Sequence, residues 1–250
     1  MLNGKLKSWL ICIDDTDDIG TKGTGEIAEE IALLISGEPL SRCSFVTRHQ
    51  LYVHPEIPYT SHNSAMCFQV RTHLSLAEIR DVAVAHLLQE SAAAADPGLA
   101  ILDLQSDIDR QALIDFGLAA KQSVKTKSQA YGLAEALGMS LSEHGGTGQG
   151  IIGALAGLGL RLQGSDGRIK GQVKLKGLLD GEQVFSVAEV IEQTGVDSVL
   201  THTGQFLCFK ESVTLSGKLK AVYHDHQVCL LVYPQDGIWR NALKQHLQHY

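Results

Sequence analysis

Asp14, Asp15, Asp17 and Asp18 put four carboxylates into five consecutive positions, directly after the apolar run Trp9-Leu10-Ile11-Cys12-Ile13. Carboxylates this close repel one another, and a divalent cation among them relieves the repulsion. An all-oxygen donor set suits Mg²⁺, which keeps several waters and is shared with substrate phosphates. The glycine- and hydroxyl-rich segment Gly20-Thr21-Lys22-Gly23-Thr24-Gly25 follows at once and leads into residues of helical spacing. Asp14, Asp15 and Asp17 are the candidate catalytic acids and metal ligands. Gly23 and Gly25 are candidate phosphate contacts, because a helix start offers free N–H groups and the positive dipole end. The spacing of Thr24 fits an N-cap, and its hydroxyl also fits a phosphate contact or transient phosphoacceptor.

A second cluster, Gly145-Gly146-Thr147-Gly148-Gln149-Gly150, opens the apolar stretch Ile151–Leu160. It is not the dinucleotide fingerprint, since Ile151 stands where the third glycine belongs, and it lacks the Lys-Ser/Thr ending of a P-loop. Gly146, Gly148 and Gly150 can bring backbone N–H groups close to an anion. The same glycines equally suit a turn followed by close helix packing through Gly153, Gly157 and Gly159. The loop Tyr52–Ser64 is stiffened by Pro55 and Pro58 and offers Tyr59, Ser61, His62 and Asn63 as a polar substrate loop. Lys170, Lys174 and Lys176 fall on one face of an expected strand and, with Lys121, Lys125 and Lys127, are the local support for a polyanionic partner. His224-Asp225-His226 would set two imidazoles on one strand face, but a third metal ligand is not in view.

Two other chemistries fit the acidic run less well. An EF-hand loop would put Ile19 at a ligand position and a strand where the entering helix belongs. A haloacid-dehalogenase-type phosphatase needs a further acidic pair late in the chain, and none stands out. A plain solvated turn with helix-capping acids is the simplest alternative.

The elements that must carry these groups follow from periodicity. Strands are expected at Ser8–Ile13, Cys43–Val53, Ser64–Arg71 and Gly98–Leu104, with helices at Gly25–Ser36 and Leu76–Ala95. That β-α-β-β-α-β order suits an α+β, ferredoxin-like (split βαβ) sheet with helices on one face. Asp96-Pro97-Gly98 reads as a helix stop. Helices follow at Asp107–Ala120, Lys127–Leu137 and Ile151–Leu160. The remainder reads as shorter strands (Gln172–Leu175, Phe206–Phe209, Val228–Val232) with a helix at Val187–Gln193. The boundary is placed at 122/123, giving domains 1–122 and 123–250.

The chain has 250 residues, 44% of them hydrophobic, with a net charge of −7 and five cysteines in no CxxC pair. This is globular composition. No apolar run reaches the ~20 residues that span a bilayer. The apolar segment after Met1–Lys7 is too short for a signal peptide, and scattered cysteines point to reduced thiols and a cytoplasmic location. The negative charge excludes a general nucleic-acid coat but leaves room for a local basic patch.

Three motifs in order resemble the archaeal isoleucine-tRNA agmatinylcytidine synthetases, the TiaS family. Ile13-Asp14-Asp15-Thr16-Asp17 matches the family's IDDTD signature, and Thr24 falls at the position of its threonine. His54-Pro55-Glu56-Ile57-Pro58-Tyr59 echoes an NPNIPY loop, and Gly148–Ala156 matches a G-x-G-x-IGALA stretch. The resemblance spans residues 8–160. It implies a Mg²⁺-dependent, ATP-using catalytic domain followed by a ferredoxin-like one. It also implies metal and phosphate binding by Asp14, Asp15 and Asp17, phosphorylation of Thr24, and activation of an RNA cytidine for attack by agmatine. The family's OB-fold and zinc ribbon, which grip tRNA, have no counterpart here. The second threonine after Thr24 is Gly25, and Thr60–Ser64 replaces a basic sequence.

The expected function is a Mg²⁺- and ATP-using phosphotransferase or ligase-like enzyme. It would transfer phosphoryl or pyrophosphoryl groups to an acceptor, tRNA cytidine or a small molecule. The rival from another class is a non-catalytic nucleotide sensor or RNA-associated adaptor, which would bind ATP without turnover.

Overall fold

β1 (Lys7–Asp14) is apolar from Trp9 to Ile13, the pattern of a strand covered on both faces. Trp9, Ile11 and Ile13 turn to one core, and Leu10 and Cys12 to a second, as period-two geometry requires. Asp14 is next in the alternation and falls on the second side. The computed structural model describes residues 6–57, 62–178, 181–248 and 250. They form two compact units, 1–163 and 164–250.

In the first unit β1 is followed by α1 (Thr24–Ser36), β2 (Arg42–Cys43), β3 (Thr47–Gln50), β4 (Ser64–Thr72), α2 (Leu76–Glu90) and β5 (Gly98–Asp103). β1 lies between β4 and β5, and β2 and β3 pair with β4 along its other edge, all antiparallel. Ile27, Ile31 and Ile35 of α1 and Ile79, Ala83 and Leu87 of α2, at helical spacing, cover the first face. A capping box starts α2: Ser75 Oγ accepts from the Glu78 amide at 3.3 Å, and Glu78 Oε2 accepts from the Ser75 amide at 2.8 Å.

α3 (Arg110–Ala119), α4 (Lys127–Ala136) and α5 (Gly150–Gln163) cover the second face through Leu113, Ala130, Ala134 and the apolar side of α5. β6 (Ser140–Glu143) extends the sheet beyond β5. The result is a helix–sheet–helix sandwich, with helices on both faces instead of the one expected. The 122/123 boundary falls between α3 and α4, which share one core. The division between the two units comes after α5 instead.

The second unit contains β7 (Arg168–Ile169), β8 (Gln183–Ser186), α6 (Val187–Thr194), β9 (Ser198–Thr201), β10 (Ser212–Leu215), β11 (Ala221–His224), β12 (Gln227–Gln235) and β13 (Ile238–Asn241). β12 pairs antiparallel with β11 and β13 and parallel with β9, and β10 pairs parallel with β13. Leu200, Val222, Cys229 and Leu231 form its core.

Two expected strands are reduced to single bridges, Val173–Leu219 and Leu200–Phe206. The expected face shared by His224 and His226 does not form either. Asp225 and His226, at φ 48° and 60°, are the two turn residues of the β11–β12 hairpin, the left-handed pair that such a turn needs. No helix among the described residues is long and apolar enough to cross a membrane.

Candidate functional site

Asp14 ends β1 with its carboxylate against α5. The helix can approach because Gly153 has no side chain: a Cβ there would stand 1.6 Å from Asp14 Oδ2. The backbone then turns at Asp15, whose φ of 54° lies in the left-handed region that aspartate visits more readily than most residues. Asp17 Oδ1 accepts a hydrogen bond from Thr24 Oγ1 at 3.1 Å. Thr24 is the first residue of α1 and not its cap. Gly23 is the N-cap and offers no side-chain acceptor, so the first turn of α1 keeps amides uncapped by any side chain.

Lys22 fixes this corner to the helices behind it, donating to Glu30 Oε1 at 2.8 Å and Glu90 Oε2 at 2.6 Å, while His86 Nε2 meets Glu30 Oε2 at 2.7 Å. That network accounts for the lysine of the first glycine segment without any ligand.

Asp14, Asp15, Asp17 and Thr24 line a cavity of about 510 Å³. Across it lie Lys125 and the start of α4, and Gln149, Gly150 and Gly153 at the start of α5. Three helix N-termini therefore face one space, an arrangement suited to anions. Leu51, Val124 and Ile152 give the cavity an apolar side. His62 and Asn63 also line it, Asn63 being held by its Nδ2 donating to the Tyr52 carbonyl at 2.6 Å. Tyr59 and Ser61 lie outside the described residues. Lys125 is half-buried and has no hydrogen bond or ion pair among the described residues. Lys127 Nζ is engaged by Glu143 Oε2 and the Thr147 carbonyl.

Of the glycines expected at phosphate, Gly150 alone lines the cavity; Gly23, Gly25, Gly146 and Gly148 do not. Gly25 is buried within α1. The second glycine loop already holds an internal anion. The Asp96 carboxylate accepts from the Thr147 amide at 2.6 Å, the Gln149 amide at 3.4 Å and the Thr147 hydroxyl. Burial pushes Asp96 up, but these bonds and the Gly148 amide outweigh it and hold the carboxyl below its usual range. Gly146 and Gly148, at φ 51° and 75°, shape the loop around that carboxylate. Asp96 is the residue the sequence hides, because Asp96-Pro97-Gly98 reads only as a helix stop.

The acidic corner itself carries uncompensated charge. Burial first, then the Asp15 and Asp17 carboxylates, raise Asp14 to about 8, against the pull of the Asp15 amide. Burial, then Asp96 and Asp17, raise Asp15 to about 6, opposed by the Asp96 amide. A cation is the natural complement of such a corner.

No group of three His, Cys, Asp or Glu among the described residues converges closely enough to hold an ion alone. Asp14, Asp15 and Asp17 thus do not form a closed cage. One or two carboxylates completed by water and substrate phosphate is the mode Mg²⁺ favours, and this oxygen donor set fits it.

A pH dependence follows. The unfolded carboxyls titrate near 3.8, so the folded chain holds more protons between that value and about 8. Stability of the metal-free protein therefore falls as pH rises through this window. Thermal melts from pH 5 to 9 should show wild type losing Tm relative to Asp14→Asn, with Mg²⁺ restoring more of it at higher pH. A difference between the two proteins that does not change with pH would reject this.

No protein-family model matches the chain, and no curated protein sequence matches it. Among solved structures, the complex of TiaS with an isoleucine tRNA and ATP is similar with a TM-score of 0.54 and 24% identity, over 61% of this chain and 36% of that one. A tRNA fluorescent labeling enzyme is similar with a TM-score of 0.53 and 25% identity, over 61% and 36%. The complex of TiaS with the same tRNA, AMPCPP and agmatine reaches a TM-score of 0.54 at 20% identity, over 73% and 43%. The chain thus spans 36 to 43% of the length of these solved proteins. Over 61 to 73% of its own length, the chain is similar in fold to TiaS, a tRNA agmatidine synthetase.

Proposed function

We propose that residues 1–163 form a Mg²⁺-dependent, ATP-using enzyme that transfers a phosphoryl or pyrophosphoryl group to activate an acceptor, with a tRNA cytidine favoured over a small molecule. The observation that carries this reading is the single cavity joining Asp14, Asp15 and Asp17 to the starts of α1, α4 and α5 and to Lys125. Helix starts and a lysine without an ion-pair partner suit a triphosphate, and carboxylates suit the cation that accompanies it. The fold likeness to TiaS solved with ATP, with AMPCPP, with agmatine and with tRNA supports the same substrates.

Asp14 and Asp15 would hold Mg²⁺, which when bound neutralises charge on the phosphates. Asp17 orients the Thr24 hydroxyl. Phosphoryl transfer to Thr24 would form the Oγ–phosphorus bond, break the bond to the leaving ADP, and pass the hydroxyl proton to Asp17. The split βαβ reading is kept for residues 7–103, supported by the strand order β5-β1-β4-β3. It is not extended to the second unit, whose sheet contains parallel pairs. A cytoplasmic location accords with five free cysteines.

Calorimetry should detect ATP binding that requires Mg²⁺ in wild type and is lost in Asp15→Ala; unchanged binding there would remove the metal role. Incubation with γ-labelled ATP should label wild type but not Thr24→Val. Equal labelling of the two proteins would reject Thr24 as acceptor.

A further inference from the structure

Residues 164–250 contain nine Lys and Arg against nine Asp and Glu, so the net charge of −7 belongs wholly to residues 1–163. Within this neutral unit the charge is unevenly distributed. Arg168, Lys170, Lys174 and Lys176 occur with no acid between residues 168 and 178, and Lys218 and Lys220 with none between 212 and 224. The fold brings these two acid-free stretches together. The Val173 amide donates to the Leu219 carbonyl at 3.0 Å, and both side chains are buried. Alternation then turns Lys174, Lys176 and Lys218 outward, all exposed, and the antiparallel bridge sets Lys174 opposite Lys218. Like charges directly opposite are destabilising, so this pairing suits an anion laid across it.

Rings adjoin one end of the strip. Arg168 Nε donates to the Tyr250 carbonyl at 3.0 Å. The Tyr250 ring meets His224 edge-on at 6.0 Å, and His224 meets Phe206 at 6.1 Å. Phe206 is 42% exposed. An anionic bilayer would use only the charge, and a duplex hides its base faces. An unpaired strand offers both phosphates and π-faces, which is what lysines beside rings can grip.

The geometry points to the Arg168–Lys176 and Lys218–Lys220 strip, with the Tyr250–His224–Phe206 row, as a docking surface for unpaired RNA. That the strand is RNA rests on the acceptor reading given above; the surface itself does not.

The test is fluorescence anisotropy of the full chain with a labelled, unstructured RNA of about 16 nucleotides, a length within single-strand site sizes. The variant Lys174→Gln/Lys176→Gln/Lys218→Gln alters exposed side chains only. It should bind at least ten-fold more weakly at low salt, and its log K against log[salt] slope should be shallower by about 2. Phe206→Ala should lose roughly ten-fold with the slope unchanged, as expected of a stacking contact. Wild-type affinity and slope in the lysine variant would overturn the proposal. So would an unaffected Phe206→Ala, which leaves only a diffuse polyanion contact. Tighter binding to anionic phospholipid vesicles than to RNA, lost in the same lysine variant, would assign the strip to a membrane surface instead. Asp15→Ala should keep RNA binding while losing ATP, so the two readings fail separately.

Discussion

Gly153→Ala should lower the affinity for Mg²⁺–ATP by about 10- to 100-fold, the range seen when a neighbour that orients a metal ligand is disturbed, while leaving the melting temperature almost unchanged. The added Cβ would stand 1.6 Å from Asp14 Oδ2 and 3.0 Å from Leu51 Cδ1. Both neighbours are the far ends of side chains, so the fold can yield while the carboxylate is turned out of position. Calorimetry with ATP, with and without Mg²⁺, isolates the effect. The weakened binding should still require Mg²⁺, because Asp15, the helix starts and Lys125 are untouched. Wild-type Mg²⁺–ATP affinity in this variant would show that the placement of Asp14 does not matter to the ligand.

Gly98→Ala should act on stability instead. Its Cβ would fall 2.2 Å from the carbonyl carbon of Gly150 and 2.3 Å from the Ile151 nitrogen, where β5 and α5 touch backbone to backbone. No rotamer change relieves that clash, so β5 or α5 must shift, at a cost of about 3 kcal/mol or more. Urea unfolding should show a lower midpoint with an unchanged slope, or the protein should fail to accumulate. Gly132→Ala, in α4 with open space around it, is the control. It should be neutral or stabilising by up to about 1 kcal/mol. A Gly98→Ala protein as stable as that control would mean that the two backbones are not in contact.

The first unit was readable where a local pattern is sufficient. The two-faced run Trp9–Ile13 announces a buried strand, and the same alternation dictates which side Asp14 takes. Ser75 and Glu78 write the start of α2 as a capping box. Long-range partners were not readable. The glycines at 146 and 148 look like a phosphate loop until Asp96, some fifty residues earlier, fills it.

Thr24 fits a cap by residue type, yet the helix begins one residue sooner, because Gly23 takes the extended cap conformation and Asp17 claims the hydroxyl. Most strands of the second unit are only four residues long. Stretches that short carry too little periodicity to stand out from the turns between them. Lys125 showed itself only as one charge in a basic stretch. Its place across the cavity from the aspartates depends on α4 packing over the same face as α3.

Beside its apolar side chains, α5 approaches the sheet most closely at Gly150, Gly153 and Gly157; at Gly157 a Cβ would stand 2.4 Å from Cys12 Sγ. At these three positions the helix contributes main chain alone, so α5 has no rotamer there with which to deepen or fill the floor under the aspartates. A bulkier or smaller guest has to be accommodated elsewhere in the lining, by Glu56, Ile57, His62 and Asn63 and by the stretch 123–128. Relatives that differ in what they accept should vary there, over an unyielding base.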